Sequence, residues 1–347
     1  MKLGISAGGF GAKVKIDVEA IRRAESLGFD SVWTAEAYGN DAVTSATWVL
    51  AQTERINVGT SIMQMPARTP AMTAMTAMSL SSLSGGRFIL GLGPSGPQVV
   101  EGWHGVPYGR PLTRTKEYIE IIRKIIAREA PLEYQGYHYQ IPITGDGTTG
   151  LGKPLKSILH GDPSLKIYTA SISPNGLRCA AEVADGVFPM MMNPEKFDEI
   201  QKPHLDAGFA KAGGGKGLDD FAICPGVSVV VTDDLERGRM GVKMGLALYI
   251  GGMGARGKNF YNDYAKRLGY EEAAVKIQDL YLDGKRSEAI AAVPDELVDD
   301  VHLVGPEGRI RERLAVWKEA GQKRHVDTMM IGTTQPEALE LVAKELL

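Results

Sequence analysis

Gly91, Gly93 and Gly96 close the run Gly85-Gly86-Arg87-Phe88-Ile89-Leu90-Gly91-Leu92-Gly93-Pro94-Ser95-Gly96, a short apolar strand that ends in a loop nearly free of side chains. Such a loop lets a flat or anionic group come close to the main chain. The spacing is also that of G-x-G-x-x-G, which holds a dinucleotide pyrophosphate when a helix opens directly behind it. Here Pro94, Pro97, Gly102 and Gly105 intervene, and the next clean helical pattern starts near Leu112. The same spacing recurs at Gly252, Gly254 and Gly257. The glycines alone therefore do not specify a dinucleotide fold.

A second stretch, Ser171-Ile172-Ser173-Pro174-Asn175, leaves a strand pattern and enters a helical one. Free N–H groups on a first helical turn suit a phosphate. Ordinary N-capping by Ser173 or Asn175 explains the same residues, and on local pattern alone it is the commoner case.

The elements that must position these stretches alternate. Strand patterns run over residues 2–7, 30–35, 56–63, 88–92, 165–170, 186–190, 222–231 and 327–331, with helical periodicity between them over 14–27, 42–53, 71–83, 112–128, 175–184, 194–211, 306–320 and 335–347. Repeated strand–loop–helix units predict a parallel sheet covered by helices. Eight of them predict an α/β TIM barrel, one domain over residues 1–347, with a doubly wound open sheet as the alternative. Two interruptions read as insertions. Residues 131–163, after strand four, are rich in Gly, Pro, Tyr and Thr and include a hairpin pattern at 132–139; residues 233–298, after strand seven, form a long helical stretch broken at 251–257.

In a barrel the site lies at the C-terminal strand ends. That selects Gly8 to Phe10, Glu36, Ser61 to Gln64, Gly93 to Ser95, Ser171 to Asn175 and Met190 to Asn193, together with the loop after strand seven. Glu36 is the one carboxylate among the residues named, and no histidine is included. Hydrolysis or acyl transfer needs a nucleophile–base pair or two facing carboxylates. A rim of Gly, Ser, Thr and Met instead suits a flat organic cofactor that carries the reactivity itself.

The 347 residues carry a formal charge of −3, so no basic field draws nucleic acid or anionic membrane. Met1-Lys2-Leu3-Gly4-Ile5 enters a strand directly, so neither a signal peptide nor a membrane span is expected. Two cysteines, Cys179 and Cys224, and six scattered histidines suggest neither disulfides nor a protein-bound metal, and a cytoplasmic setting is expected. Cys179 reads as an inert helix residue and Cys224 as a strand residue. Met72, Met75 and Met78 read first as core and second as a homodimer face. Trp103 and His104 are candidates for lining a substrate pocket, or Trp103 for a buried anchor.

At Leu83-Ser84-Gly85-Gly86-Arg87-Phe88, continued by Leu90, Gly91 and Gly93, the chain resembles the signature of the bacterial luciferase-like superfamily. The extension Gly96-Pro97-Gln98-Val99-Val100-Glu101-Gly102-Trp103-His104-Gly105 resembles its deazaflavin-dependent branch, to which methylene-tetrahydromethanopterin reductase belongs. Gly28-Phe29-Asp30 and Asp185-Gly186 fit as well, so the likeness covers essentially the whole chain. It implies a TIM barrel that binds coenzyme F420 and transfers hydride between its C5 and a small organic substrate. It further implies a non-prolyl cis peptide at Ser61–Ile62 behind the ring, a phosphate loop over Ser171, Ile172, Ser173 and Asn175, and an acid near the ring at Glu36. Gly93 and Ser95 join the cofactor-binding residues, as do Arg256 and Lys258, which would meet the phosphate or an anionic tail; solvated surface charge is the other and commoner reading of those two. Several relatives carry a histidine directly after the acid; here that residue is Ala37. The alternatives are an FMN-dependent monooxygenase or reductase on the same fold, and a coenzyme-binding protein without turnover.

Overall fold

The structure is a computed structural model, and residues 1–7 and 11–347 are described. The rim candidates Gly8 to Phe10 lie outside the described residues.

The elements run β1 (Lys2–Ala7), α1 (Val18–Ser26), β2 (Ser31–Thr34), α2 (Ala42–Gln52), β3 (Asn57–Thr60), β4 (Met63–Gln64), α3 (Pro70–Leu83), β5 (Phe88–Gly93), α4 (Pro97–Gly102) and α5 (Pro111–Ala127). A small hairpin follows, β6 (Tyr134–Gln135) and β7 (Gln140–Ile141), then β8 (Ile167–Ala170), α6 (Pro174–Val183), β9 (Gly186–Phe188), α7 (Phe197–Ile200), α8 (Lys202–Ala212), β10 (Ala222–Ile223) and β11 (Gly226–Val231). The chain ends with α9 (Leu235–Ala247), α10 (Phe260–Arg267), α11 (Glu271–Leu282), α12 (Arg286–Ala291), α13 (Asp295–Val301), β12 (Leu303–Gly305), α14 (Glu307–Gln322), β13 (Thr328–Gly332) and α15 (Pro336–Leu346).

Among the described residues, every ladder apart from the β6–β7 hairpin is parallel, in the order β10-β9-β8-β5-β3-β2-β1-β13-β11-β12. The predicted seventh strand is split at Cys224-Pro225, because proline has no N–H for a ladder. Its first piece pairs with β9, its second with β13. Asp327 N donates to Ile223 O at 2.9 Å and Met330 N to Pro225 O at 2.9 Å, so the curled sheet returns to its start through this segment.

Side chains alternate across the curl, as the two-residue period of a strand requires. Val32, Ile167, Val187, Met329 and Ile331 face the helices, whereas Trp33, Tyr168, Phe188 and Met330 fill the inside. Trp33 sits edge-on to Phe188 at 5.1 Å between ring centres. A Cβ on Gly59 would lie 2.4 Å from the Trp33 ring, so glycine there makes room for the indole. A separate cluster formed by α9 to α13 packs on Met191, Ile172 and Met190, and so lies against the chain leaving β8 and β9.

Several expectations are corrected. The first helix starts four residues later than predicted, where the Asp17 carboxylate caps it by accepting from Ala20 N at 2.9 Å. The helix predicted over 194–211 is interrupted between Ile200 and Lys202. The short strand β12 has no counterpart among the strand patterns. A six-residue helix does open at Pro97, with Gly96 as its cap. Of the three methionines read as core, only Met78 is buried; Met72 and Met75 are 53% and 55% exposed. Trp103 is 66% exposed, so it is not a buried anchor.

Candidate active site

β3 stops at Thr60, and the Ser61–Ile62 peptide is cis. Ser61 N donates to Thr34 O at 2.6 Å, and Glu36 N donates to Ile62 O at 3.3 Å, so the end of β2 grips both sides of this bond. The chain then resumes as β4, with Gln64 opposite Gly93. This bulge explains the glycines of β5. A Cβ on Gly91 would stand 1.7 Å from Thr60 O, and one on Gly93 would stand 2.7 Å from the Ile62 side chain. Gly91 and Gly93 thus serve close packing of strand on strand, and the dinucleotide spacing is incidental.

Glu36 is held on every side. Its Oε1 accepts from Gln64 N at 2.7 Å and Arg68 Nη1 at 2.6 Å; its Oε2 accepts from Ala42 N at 3.0 Å and Arg68 Nη2 at 3.1 Å. Arg68 also pairs with Asp41. Burial alone would raise the Asp41 carboxyl, but hydrogen bonds from Thr44 and the field of Arg68 hold it below the usual carboxylate value. With both oxygens engaged, Glu36 fixes the loop after β2 against the bulge. Gln64 donates to Ala37 O at 2.5 Å, while its Oε1 is buried without a partner among the described residues.

At the start of α6, Ser173 Oγ accepts from Gly176 N at 3.1 Å, so the capping bond is made. Ser171 is a separate feature. A Cβ on Gly176 would lie 1.9 Å from Ser171 Oγ and 2.8 Å from Ser173 Oγ, so both hydroxyls stand over the first turn in space that only glycine leaves. Two guanidinium groups flank them. Arg267 on α10 donates to Ile172 O at 2.9 Å, and Arg178 donates to Asn175 Oδ1 at 3.1 Å. Neither lies within salt-bridge distance of a carboxylate among the described residues. Their combined field reaches His204, whose imidazole is held below its ordinary value first by burial and then by Arg178 and Arg267. Small hydroxyls, the first turn of a helix and unneutralised guanidinium charge together make an anion cradle.

The cations expected from sequence are placed elsewhere. Arg256 donates to Asp279 at 2.9 Å and to Asp283 at 2.8 Å, so its charge is spent on α11. Lys258 lies on the exposed turn beside it. Sequence reasoning misses Arg267, because nothing local marks it: it is 95 residues from the carbonyl it contacts. Ser95, with φ of 60°, turns the chain between Gly93 and α4. His104 is partly buried, and its Nε2 has no partner among the described residues. Cys179 is buried on α6, which pushes its thiol up to about 11, and Cys224 is buried between β10 and β11 with its thiol raised further; neither is a nucleophile at neutral pH. No group of three or more metal-ligating side chains occurs among the described residues.

A family profile described as luciferase-like monooxygenase matches residues 5–324. The chain belongs to this family. It is 45% identical over 335 residues to a Mycobacterium tuberculosis protein named "Putative coenzyme F420-dependent oxidoreductase", covering 96% of this chain and 95% of that one. It is 28% identical to the 5,10-methylenetetrahydromethanopterin reductase of Archaeoglobus fulgidus, over 94% and 93% of the two chains. Among solved structures, the coenzyme F420 dependent tetrahydromethanopterin reductase of Methanopyrus kandleri superposes with a TM-score of 0.78 at 23% identity, covering 99% of this chain and 98% of that one. That likeness identifies the curled parallel sheet as the fold of luciferase-like TIM-barrel enzymes. No helix among the described residues is long and apolar enough to cross a membrane.

Proposed function

We propose that this luciferase-like chain is a coenzyme F420-dependent oxidoreductase acting on a small organic substrate. The observation that carries the reading is the anion cradle at residues 171–176, set across the strand ends from a bulge with no free acid or base. The residues fit a phosphate-bearing deazaflavin. Ser171, Ser173, Asn175 and the first N–H groups of α6 would take the phosphate, with Arg267 beside them. Ile62, held by Glu36 N, would back the ring, and Gly93 and Ser95 would leave room at its edge.

When bound, the coenzyme supplies hydride chemistry at C5 of its deazaflavin ring. The protein's own share is to bind and orient it. Glu36 is a positioning residue: through Arg68, Gln64 and Ala42 it keeps the loop after β2 seated on the bulge. The helices α9 to α13 lie over the β8 and β9 ends and exclude water from that side.

FMN also carries a phosphate, so the cradle suits either cofactor; the relatives' names are what favour F420. The chain is read as a single domain, a closed barrel with insertions after β5 and β11, and as a dimer through exposed Trp48, Met72 and Met75 on α2 and α3. Fluorescence titration of the purified chain with F420 and, separately, FMN tests the cofactor. Binding of F420 in the micromolar range or tighter, with FMN weaker, is expected; tight FMN and no F420 overturns it. Bound F420 whose absorbance never changes with any reductant or acceptor would mark a carrier rather than an enzyme.

A further inference from the structure

Arg114 is a guanidinium folded away from water without an anion. It stands on the first turn of α5 and is 8% exposed. Its Nη2 donates to Pro107 O at 2.7 Å, and its Nη1 is buried without a partner among the described residues. No described carboxylate lies within salt-bridge distance of it, and Gly8, Gly9 and Phe10 carry none. The acids on either side of it in sequence are committed to main chain. Glu101 Oε1 accepts from Tyr108 N at 3.1 Å, and buried Glu117 accepts from the N–H groups of Tyr137, His138 and Tyr139 at 2.6, 2.8 and 3.2 Å. The charge is felt around it. Burial raises the Tyr108 phenol and Arg114 opposes the rise; burial lowers the His138 imidazole and Arg114 adds to it. A buried charge without a counter-ion is costly to hold until an anion meets it.

Two features place this charge at the strand ends. Tyr118, one helical turn on and on the same face of α5, extends its hydroxyl to Arg68 O at 3.2 Å, and Arg68 is the partner of Glu36 beside the bulge. The first turn of α5 follows the end of β5 and has no side-chain cap, so its main-chain N–H groups add to the positive charge. What covers the guanidinium is the segment 105–110. Gly105 and Gly109 bracket it with φ of 66° and 62°, a left-handed backbone that glycine adopts freely. The far end is pinned: a Cβ on Gly109 would lie 2.8 Å from the His138 ring and 3.5 Å from Arg114 Nη2, and His138 Nε2 donates to Arg110 O at 3.0 Å. The near end is open, since a Cβ on Gly105 would meet nothing within 4 Å. His104 Nε2, just before Gly105, is also buried without a partner among the described residues. Buried polar groups are normally satisfied, so two orphans flanking one glycine-bracketed segment point to a ligand that this pose excludes.

We infer that Arg114 is the receptor for a carboxylate on the substrate, and that the segment 105–110 is the lid over it. Opening at the two glycines withdraws the Pro107 carbonyl and leaves the Nη1–Nη2 edge of the fork for both carboxylate oxygens. The inference rests on the proposed function only in taking the strand ends as the place where a substrate binds.

Isothermal titration calorimetry of the full chain at neutral pH, with and without F420, tests it with acetate, benzoate and 2-naphthoate, each against its amide. At least one carboxylate is expected to bind about ten-fold or more tightly than its amide. Arg114→Met is expected to abolish that preference, with the F420 dissociation constant within about two-fold of the parent's and a melting temperature at or above it, since the variant removes an uncompensated buried charge. Amide hydrogen exchange over 105–110 should quicken when the carboxylate binds. No preference for any carboxylate overturns the receptor. So does an Arg114→Met chain that melts well below the parent or fails to fold, because the residue then holds the loop instead. Arg114→Met that weakens F420 and spares the carboxylates assigns the anion to the coenzyme and overturns it as well. Unchanged exchange overturns the lid. Carboxylate preference in a chain that binds no F420 overturns the cofactor reading and leaves the receptor standing.

Discussion

The Glu36 carboxylate and the Arg68 guanidinium form a two-pronged ion pair, 2.6 Å and 3.1 Å between partners, directly beside the Ser61–Ile62 bulge. Glu36 is almost wholly buried and Arg68 largely so. Removing one member of such a pair leaves the other charge without a partner in a poorly solvated place. Glu36→Gln is therefore expected to cost about 2–4 kcal/mol of stability, read as a lower urea midpoint at constant slope. F420 affinity should fall with it, because Gln64 and the loop after β2 lose their common anchor. A variant as stable as the parent would show that the clamp contributes nothing.

Gly91 and Gly176 are both crowded, but against different things. The obstacle at Gly91 is the Thr60 carbonyl, fixed in the sheet 1.7 Å from where a Cβ would stand; at Gly176 it is the Ser171 hydroxyl at 1.9 Å, which can turn about χ1. Gly91→Ala is expected to lose at least about 3 kcal/mol or to express insoluble. Gly176→Ala should fold with a melting temperature within a few degrees of the parent, yet bind F420 at least about ten-fold more weakly as the cradle fills. Equal stability of the two variants would contradict this assignment of the glycines.

Most strands and helices are legible in the sequence because their periods are strong and their loops short. The features that stay hidden have physical reasons. Helix α3 is apolar all round, being built from Ala, Met, Ser and Leu, so its period does not say that Met72 and Met75 face outward. Pro225 does signal the split in the seventh strand, but the β-branched run after it masks the break. Of the candidate site, the bulge at Ser61–Ile62 is reached through the family likeness, and the Ser171–Asn175 turn from the residues themselves. Arg68 and Arg267 depend on contacts between distant parts of the chain, which no local pattern encodes.

His302 accepts the Ser228 N–H on its Nδ1 at 3.0 Å, which requires a neutral ring at that nitrogen. Burial holds its pKa down at about 4, below the value near 6.5 of an unfolded chain. The unfolded state thus takes up the proton first as pH falls. This contribution is complete above pH 6.5 and is lost progressively between 6.5 and 4, by no more than about 3 kcal/mol. His138, His204 and His325 are lowered too and act in the same direction. Urea midpoints at pH 7.5, 5.5 and 4.5 should decline, and His302→Asn, which keeps an acceptor without a proton site, should flatten the slope. An unchanged slope would remove His302 from the account.

Arg267 and Arg256 separate the two views of where a coenzyme anion is held. Arg267 stands beside Ile172 without a carboxylate partner within salt-bridge distance among the described residues, whereas Arg256 is bonded to Asp279 and Asp283 on the outside of α11. A guanidinium that meets a phosphate directly contributes a charge-assisted bond, so Arg267→Ala should raise the F420 dissociation constant about ten-fold or more. The loss should shrink as salt is raised from about 0.05 to about 0.5 M, on the order of the screening expected for a partly exposed pair. Arg256→Ala should leave that constant within about two-fold, since exposed ion pairs contribute little. The reverse pattern would move the phosphate from the α6 turn to the glycine-rich break at 251–257.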